Sequence, residues 1–427
     1  MAHIETTHSR GGKGSFRHWA GTGPGEFKRI FQEWTEVNPL IRTLSQLAVF
    51  LPALMAGPLL LFSHAQAVTE IGGQKVVTLT RTGFSKSKPE FASVTLAPGR
   101  GMEILQITAN FPGKGIVEML ASPDLDGAKK MLDVDDDEFG NLGYRLGAAF
   151  LVPYPNRIRG KLSADGKTVT TEWQGHKLTL PANNIGTMPE AERHAMHGLI
   201  LKAKTDQISV KKAGGGQEAT GIIHAGDFGG HWLSQTDLEI TVRLAAEEVE
   251  ATVVAKNVGH VDEPMAIAWH PYFNLPSGDR TQARVRIPAS NVAEVDNYDN
   301  VFPTGRVSSV DGTKFDLRGI GGTLLGNSYF DDNWSHIDWN NGLATVEVID
   351  PAAHYGVNIE GSSLEIRTIQ MYAPPDKSFV AIEHQYNFAD PFGKEWGKMD
   401  THMVTLKPGQ STKWQVRLRV FVPQVHM

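Results

Sequence analysis

Two neighbouring stretches constrain the fold of this chain more than any others. In Leu238-Glu-Ile-Thr-Val-Arg-Leu244, and again in Val249-Glu-Ala-Thr-Val-Val-Ala255, apolar residues recur at alternate positions. Side chains on a strand point alternately to its two faces, so this period gives each stretch one apolar and one polar face, whereas a helix would scatter the same letters around its axis. The polar corner Ala245-Ala-Glu-Glu248 between them closes an antiparallel hairpin. Similar alternation marks Ala344-Thr-Val-Glu-Val-Ile349, Leu364-Glu-Ile-Arg-Thr-Ile369 and Trp414-Gln-Val-Arg-Leu-Arg-Val420. A strand with one apolar face must bury it against another such face, which predicts an all-β chain from about Gln74 onward, folded as a large antiparallel β-sandwich. Lys211-Lys-Ala-Gly-Gly-Gly216 reads as a hairpin tip, and no linker divides residues 68–427, which are expected to form a single domain.

Composition removes several function classes. The 427 residues carry a formal net charge of -6 and no basic patch, so nothing offers a phosphate backbone an electrostatic footprint and no nucleic-acid partner is expected. Cysteine is absent, which removes thiol nucleophiles, disulfides and thiolate metal sites and leaves oxygen and imidazole to carry any chemistry. The N-terminal region has its own character. After Arg42 the run 43–66 lacks Asp, Glu, Lys and Arg and ends in Ala65-Gln-Ala67. A basic stretch, an apolar stretch and an Ala-x-Ala site in that order predict a signal peptide cleaved after Ala67 and an exported protein, with a membrane anchor as the alternative for residues 1–67. The leader is unusually long, and Pro52 and Pro58 favour cleavage over a stable spanning helix.

The segment Trp269-His270-Pro-Tyr272-Phe273-Asn-Leu275 places a histidine among aromatic rings where a strand runs into a turn. Aromatic faces pack against the apolar faces of sugars, and a histidine can move a proton at neutral pH. Four other polar positions likewise interrupt apolar stretches: Arg157 in Pro153-Tyr-Pro-Asn-Arg-Ile158, His197 in Met196-His-Gly198, Asp331 in Phe330-Asp-Asp-Asn-Trp334 and Glu383 in Ala381-Ile-Glu-His-Gln385. Charges flanked by strand-forming residues are costly to bury unpaired, so several of them point to a shared site.

In their order these motifs resemble the aldose 1-epimerase (galactose mutarotase) family. The likeness rests on Asn156-Arg157-Ile158, Met196-His197-Gly198, Asn257-Val-Gly with Pro264, His270-Pro-Tyr-Phe-Asn-Leu275, Pro303-Thr-Gly305 with Gly312-Thr-Lys-Phe-Asp316, the Asp331 motif, Gln370-Met-Tyr372 with Glu383, and Leu406-Lys-Pro-Gly409. The resemblance implies the large twisted sandwich of that family, a hexopyranose as the small-molecule substrate, and neither metal nor organic cofactor. It implies Glu383 as general base, His270 as general acid, His197 assisting at the ring oxygen or orienting the sugar, and Arg157, Asn156, Asp331 and Tyr272 as substrate contacts. Tyr272, with Trp269 and Phe273, also reads as a core aromatic, and Trp232 and Trp334 are open on the same question.

The chemistry fits such a pair. Interconverting anomers requires opening the hemiacetal, rotating about the bond next to the anomeric carbon and closing again, which takes two coordinated proton transfers. Departures from the family pattern fall at Leu199-Ile200, where a second glycine is usual after His-Gly, at Pro155, and at Asp332, a second carboxylate beside Asp331. His194 lies three residues before His197, a spacing that suits a metal only on a helix, and otherwise reads as a surface histidine. A non-catalytic carbohydrate-binding sandwich, or an enzyme for a phosphorylated sugar, are the alternative functions.

Overall fold

The computed structural model describes residues 70–424. The apolar run at 43–66 and the cleavage point expected after Ala67 lie outside the described residues. Among the described residues no helix is long and apolar enough to cross a membrane.

The hairpin read from residues 238–255 forms as the strands Thr236–Leu244 and Val249–Asn257, with Leu244 opposite Val249 across the corner. It lies inside a nine-stranded antiparallel sheet, counted over the described residues. The strands in order are Gln207–Ala213, Gly216–Gly226, the hairpin, Ser411–Phe421, Tyr355–Gly361, Ala344–Asp350, Arg284–Arg286 and Thr323–Leu324. A second sheet, of eleven described strands, runs Pro303–Ser309, Ala289–Val295, Phe330–Ile337, Thr368–Ala373, Phe379–Gln385, Ala268–Asn274, Ala148–Leu151, Glu103–Phe111, Glu90–Ala97 and Val77–Thr80. Gly115–Glu118 adds to it beside Glu103–Phe111.

The two sheets share one core, and alternation decides what enters it. From the first come Leu238, Ile240, Val253, Trp414 and Val416; from the second come Phe150, Trp269, Phe273, Trp334, Ile369 and Ile382. Phe150 meets Trp414 across the interface, edge to face at 6.3 Å. The fold is therefore the all-β sandwich that the periodicity predicts. Trp232 and Trp334 are both core residues, with indole N–H groups satisfied by the carbonyls of Pro264 and Phe315. The expected strand at 364–369 starts later, at Thr368–Ala373, because the chain first turns: Ile366 N–H donates to Ser363 O and Leu364 is left 67% exposed. The single α-helix among the described residues, Leu125–Leu132, is capped by Asp124, which accepts from Gly127 N–H at 2.8 Å.

Candidate active site

The second sheet carries its chemistry on the face turned away from the core. Pairing is in register across four strands, so that Asn333 lies opposite Gln370 and Gln370 opposite Glu383. On the next strand the ladder reaches Tyr272 opposite Ala381 and stops; Pro271 has no N–H to continue it, and from there back to Ala268 the strand pairs with Ala148–Leu151. Carried two residues further, the same register sets His270 opposite Glu383. Their side chains meet, His270 Nε2 to Glu383 Oε1, at 3.2 Å. His270 thus lies within the strand Ala268–Asn274, not at a strand end as its sequence suggests.

Period two separates site from core within each strand. Glu383 faces the site, whereas its neighbour His384 turns into the sandwich and meets Ala344 O through Nε2 at 2.8 Å. Tyr272 lies beside His270 with ring centroids 4.7 Å apart, while Trp269 and Phe273 pack into the core. Asp331 faces Arg157, whose Nη2 donates to Oδ2 at 3.1 Å, and Gln370, whose amide donates to Oδ1 at 2.7 Å. Asp332, on the other face, accepts from the Tyr298 hydroxyl at 2.9 Å. Of the two carboxylates left open by the sequence, Asp331 is the one that joins the cluster.

Arg157, Asn156 and His197 are supplied by a small two-stranded ribbon, Arg157–Ile158 paired with Ala195–Met196. Both strands end in a left-handed residue, Asn156 at φ +60° and His197 at φ +59°, linked by His197 N–H donating to Asn156 O at 2.9 Å. Gly198 follows at φ +79°, and a Cβ there would lie 2.4 Å from Val152 O, so one glycine after the histidine makes this turn. Asn156 accepts from Arg157 Nη1 at 2.9 Å and donates to Gln370 Oε1 at 3.1 Å. The His197 ring lies edge-on to His270 at 5.0 Å and to Tyr144 at 4.6 Å.

Burial dominates the electrostatics. Glu383 is 1% exposed, and desolvation pushes its carboxyl up to about 8; Asp331 adds to the rise, while the Gln385 amide, at 2.7 Å from Oε2, and Arg157 oppose it. Burial likewise pulls His270 down to about 4, with Arg157 acting in the same sense, and holds His197 well below the usual imidazole range. Burial thus favours the uncharged form of both facing groups.

All seven side chains singled out from the sequence, Glu383, His270, His197, Arg157, Asn156, Asp331 and Tyr272, lie in this one cluster. Sequence reasoning missed the roles of Gln370, which donates to Asp331, of Gln385, which donates to Glu383, and of Tyr144. A usable signal existed for Gln370, a polar residue between Ile369 and Met371 and in phase with the acidic positions of the neighbouring strands. His194 is fully buried, contrary to the surface position expected. Its Nδ1 meets Glu192 O at 2.9 Å and its Nε2 meets the Asn184 amide at 3.0 Å, so both ring nitrogens are engaged, and its chain is extended rather than helical. Among the described residues no group of three or more His, Asp or Glu side chains is placed to hold a metal ion. Two open clefts, of ≈ 350 and ≈ 300 Å³, lie elsewhere, beside Arg286 and Arg318 and beside Lys204 and His224. Arg286, Arg318 and His224 are already paired with Glu347, Asp316 and Asp237, and His270 and Glu383 border neither cleft.

A buried carboxyl and imidazole in contact can pass a proton, and the same β-sandwich face presents an Arg–Asp pair and amides able to hydrogen-bond a small polar molecule. The chain belongs to the aldose 1-epimerase family, whose model matches residues 120–419. It is accordingly an isomerase acting on carbohydrates. Solved structures share the fold at low identity. A galactose mutarotase-like protein from Clostridium acetobutylicum is 18% identical, with a TM-score of 0.62 over 82% of this chain and 99% of that one. An aldose epimerase homologue from C. elegans gives 0.59 at 18% identity, over 81% of this chain and 99% of that one. A galactose 1-epimerase from Lactobacillus acidophilus gives 0.58 at 15% identity, over 82% and 99%. Among curated proteins no significant match is found.

Proposed function

We propose that this enzyme is a mutarotase for a free hexopyranose such as galactose or glucose, with Glu383 and His270 moving the protons. The observation that carries this reading is the direct 3.2 Å contact between the two groups. The anomeric hydroxyl and the ring oxygen of a pyranose are bonded to the same carbon, so an acid and a base held this close can serve both at once. The pair holds one proton whether it is written as carboxylic acid with imidazole or as carboxylate with imidazolium. Sugar hydroxyls entering beside Glu383 replace part of its lost hydration and favour the carboxylate. That state takes the anomeric proton while the imidazolium gives one to the ring oxygen, and closure on the other face of the aldehyde reverses both steps.

Arg157 and Asp331, locked by Gln370 and Asn156, are suited to bind the remaining hydroxyls, and Tyr272 offers a ring beside His270 for the sugar's apolar face. His197, held neutral by burial, is suited to orient the substrate. The test is polarimetry on freshly dissolved α-galactose and α-glucose. The protein should speed mutarotation over buffer, and Glu383→Gln, which keeps shape but not basicity, should lose roughly 10²–10⁴-fold of that rate. Folded protein that accelerates neither sugar, or a fully active Glu383→Gln variant, would overturn the reading.

A further inference from the structure

Arg157 is gripped from behind by a residue outside the cluster. On the short strand Arg157–Ile158 the carbonyl of Arg157 and the N–H of Arg159 leave by the same edge. Asp390 takes both. Its own N–H donates to Arg157 O at 2.7 Å, and Arg159 N–H donates to Asp390 Oδ1 at 2.9 Å. One residue thereby completes the edge of that strand, using its backbone for one contact and its side chain for the other.

Asp390 is fully buried and sits at φ +46° immediately before Pro391. Both conditions are unfavourable for a residue with a Cβ, because the left-handed region favours glycine and a following proline drives its neighbour towards extended backbone. Glycine would relieve the strain but has no oxygen for Arg159. Asp390 Oδ2 and Glu395 Oε1 are both buried without a donor, and the two carboxyls act directly on one another. Glu395 is folded tightly over Gly393, where a Cβ would fall 2.2 Å from its Oε1. The Trp396 indole donates to the carbonyls of Ala389 and Asp390 at 3.1 and 3.0 Å. Asp390 is thus held through Oδ1 by Arg159 N–H and through its main-chain carbonyl by the Trp396 indole.

We propose that Asp390 is a positioning residue for the epimerase reaction: its two-point grip on Arg157 and Arg159 sets the Asn156–Arg157 turn, and through it the guanidinium that meets Asp331. The inference rests on the reading of Arg157 as a sugar ligand. Asp390 meets the cluster through the backbone carbonyl of Arg157, and its effect passes through the backbone of the ribbon.

The test uses the full-length chain with Asp390→Gly and Asp390→Asn. Glycine accepts the backbone angle and keeps the N–H contact to Arg157, so the variant should fold while losing the grip on Arg159. Its KM should rise about tenfold with kcat changed less than about twofold, the pattern of lost substrate binding as opposed to lost chemistry. Asparagine keeps an oxygen for Arg159 and offers N–H groups to Glu395, so it should hold KM within about threefold of wild type. Added to Arg157→Ala, the glycine substitution should raise KM no further. An unchanged KM in Asp390→Gly, or a fall in kcat alone that tracks a lower melting temperature, would overturn the proposal. If the wild type accelerates no sugar, the functional reading fails, and a crystal structure of Asp390→Gly decides the positioning role by itself. A guanidinium moved off Asp331 upholds it, and one left in place refutes it.

Discussion

Replacing Glu383 by glutamine should change how stability depends on pH, and by an amount the structure sets. The native carboxyl titrates at about 8 against an ordinary value of 4.5, so between those limits the folded state holds a proton that the unfolded chain has lost. Stability referred to the protonated carboxyl is therefore fully present below pH 4.5 and is lost as pH rises through 8. His270 runs the other way. Its value of about 4 against 6.5 means that its contribution is present above pH 6.5 and is lost as pH falls through 4. Below pH 6.5 the two slopes oppose each other. From pH 6.5 to 8 Glu383 acts without that opposition, and at ~1.36 kcal/mol per unit the wild type should lose about 2 kcal/mol of folding free energy through this group. Glutamine does not titrate and should lose none of it. Asp332 and Glu263, both raised by burial to about 7, are present in both proteins and cancel from the comparison. Urea unfolding of wild type and Glu383→Gln at pH 6.5 and pH 8 measures the difference. Parallel curves, with both proteins losing the same stability over this interval, would refute the claim that burial holds the proton on Glu383.

Two other substitutions separate the site from the scaffold. Gly198→Ala puts a Cβ 2.4 Å from Val152 O at φ +79° and should cost roughly 1–3 kcal/mol, read as a lower thermal midpoint, together with reduced activity as His197 shifts; an unchanged midpoint would contradict the close approach. Trp334→Ala removes a fully buried core side chain and should cost ~3–5 kcal/mol in urea unfolding, and a loss under about 1 kcal/mol would show that the sandwich is not closely packed there.

Alternation made the fold legible, since it is a local consequence of strand geometry. The hairpin 238–255 could be read to within two residues because nothing competes with its period. At 364–369 the same reading failed, because a turn at Ser363–Ile366 carries the same alternation of letters without being a strand. The site was legible as a set of polar interruptions, and resemblance supplied expected roles for them, but not how they meet. That depends on register across four strands and on the break at Pro271, which no single stretch encodes. Nor could the sequence say that burial would invert the ordinary acidities of Glu383 and His270. Desolvation is a property of the assembled interior and leaves no trace in the letters around either residue.

The division of each strand into core and site positions makes the enzyme unusually intolerant of one kind of genetic change. Within Phe379–Gln385 the odd positions hold Glu383 and Gln385 and the even ones Val380, Ile382 and His384. A point substitution disturbs one set and spares the other. Insertion or deletion of a single codon inside the strand exchanges the two, sending carboxylate into the oily interior and isoleucine into the reaction space. Length drift during evolution should therefore be confined to the connecting loops, while these strands change by replacement alone.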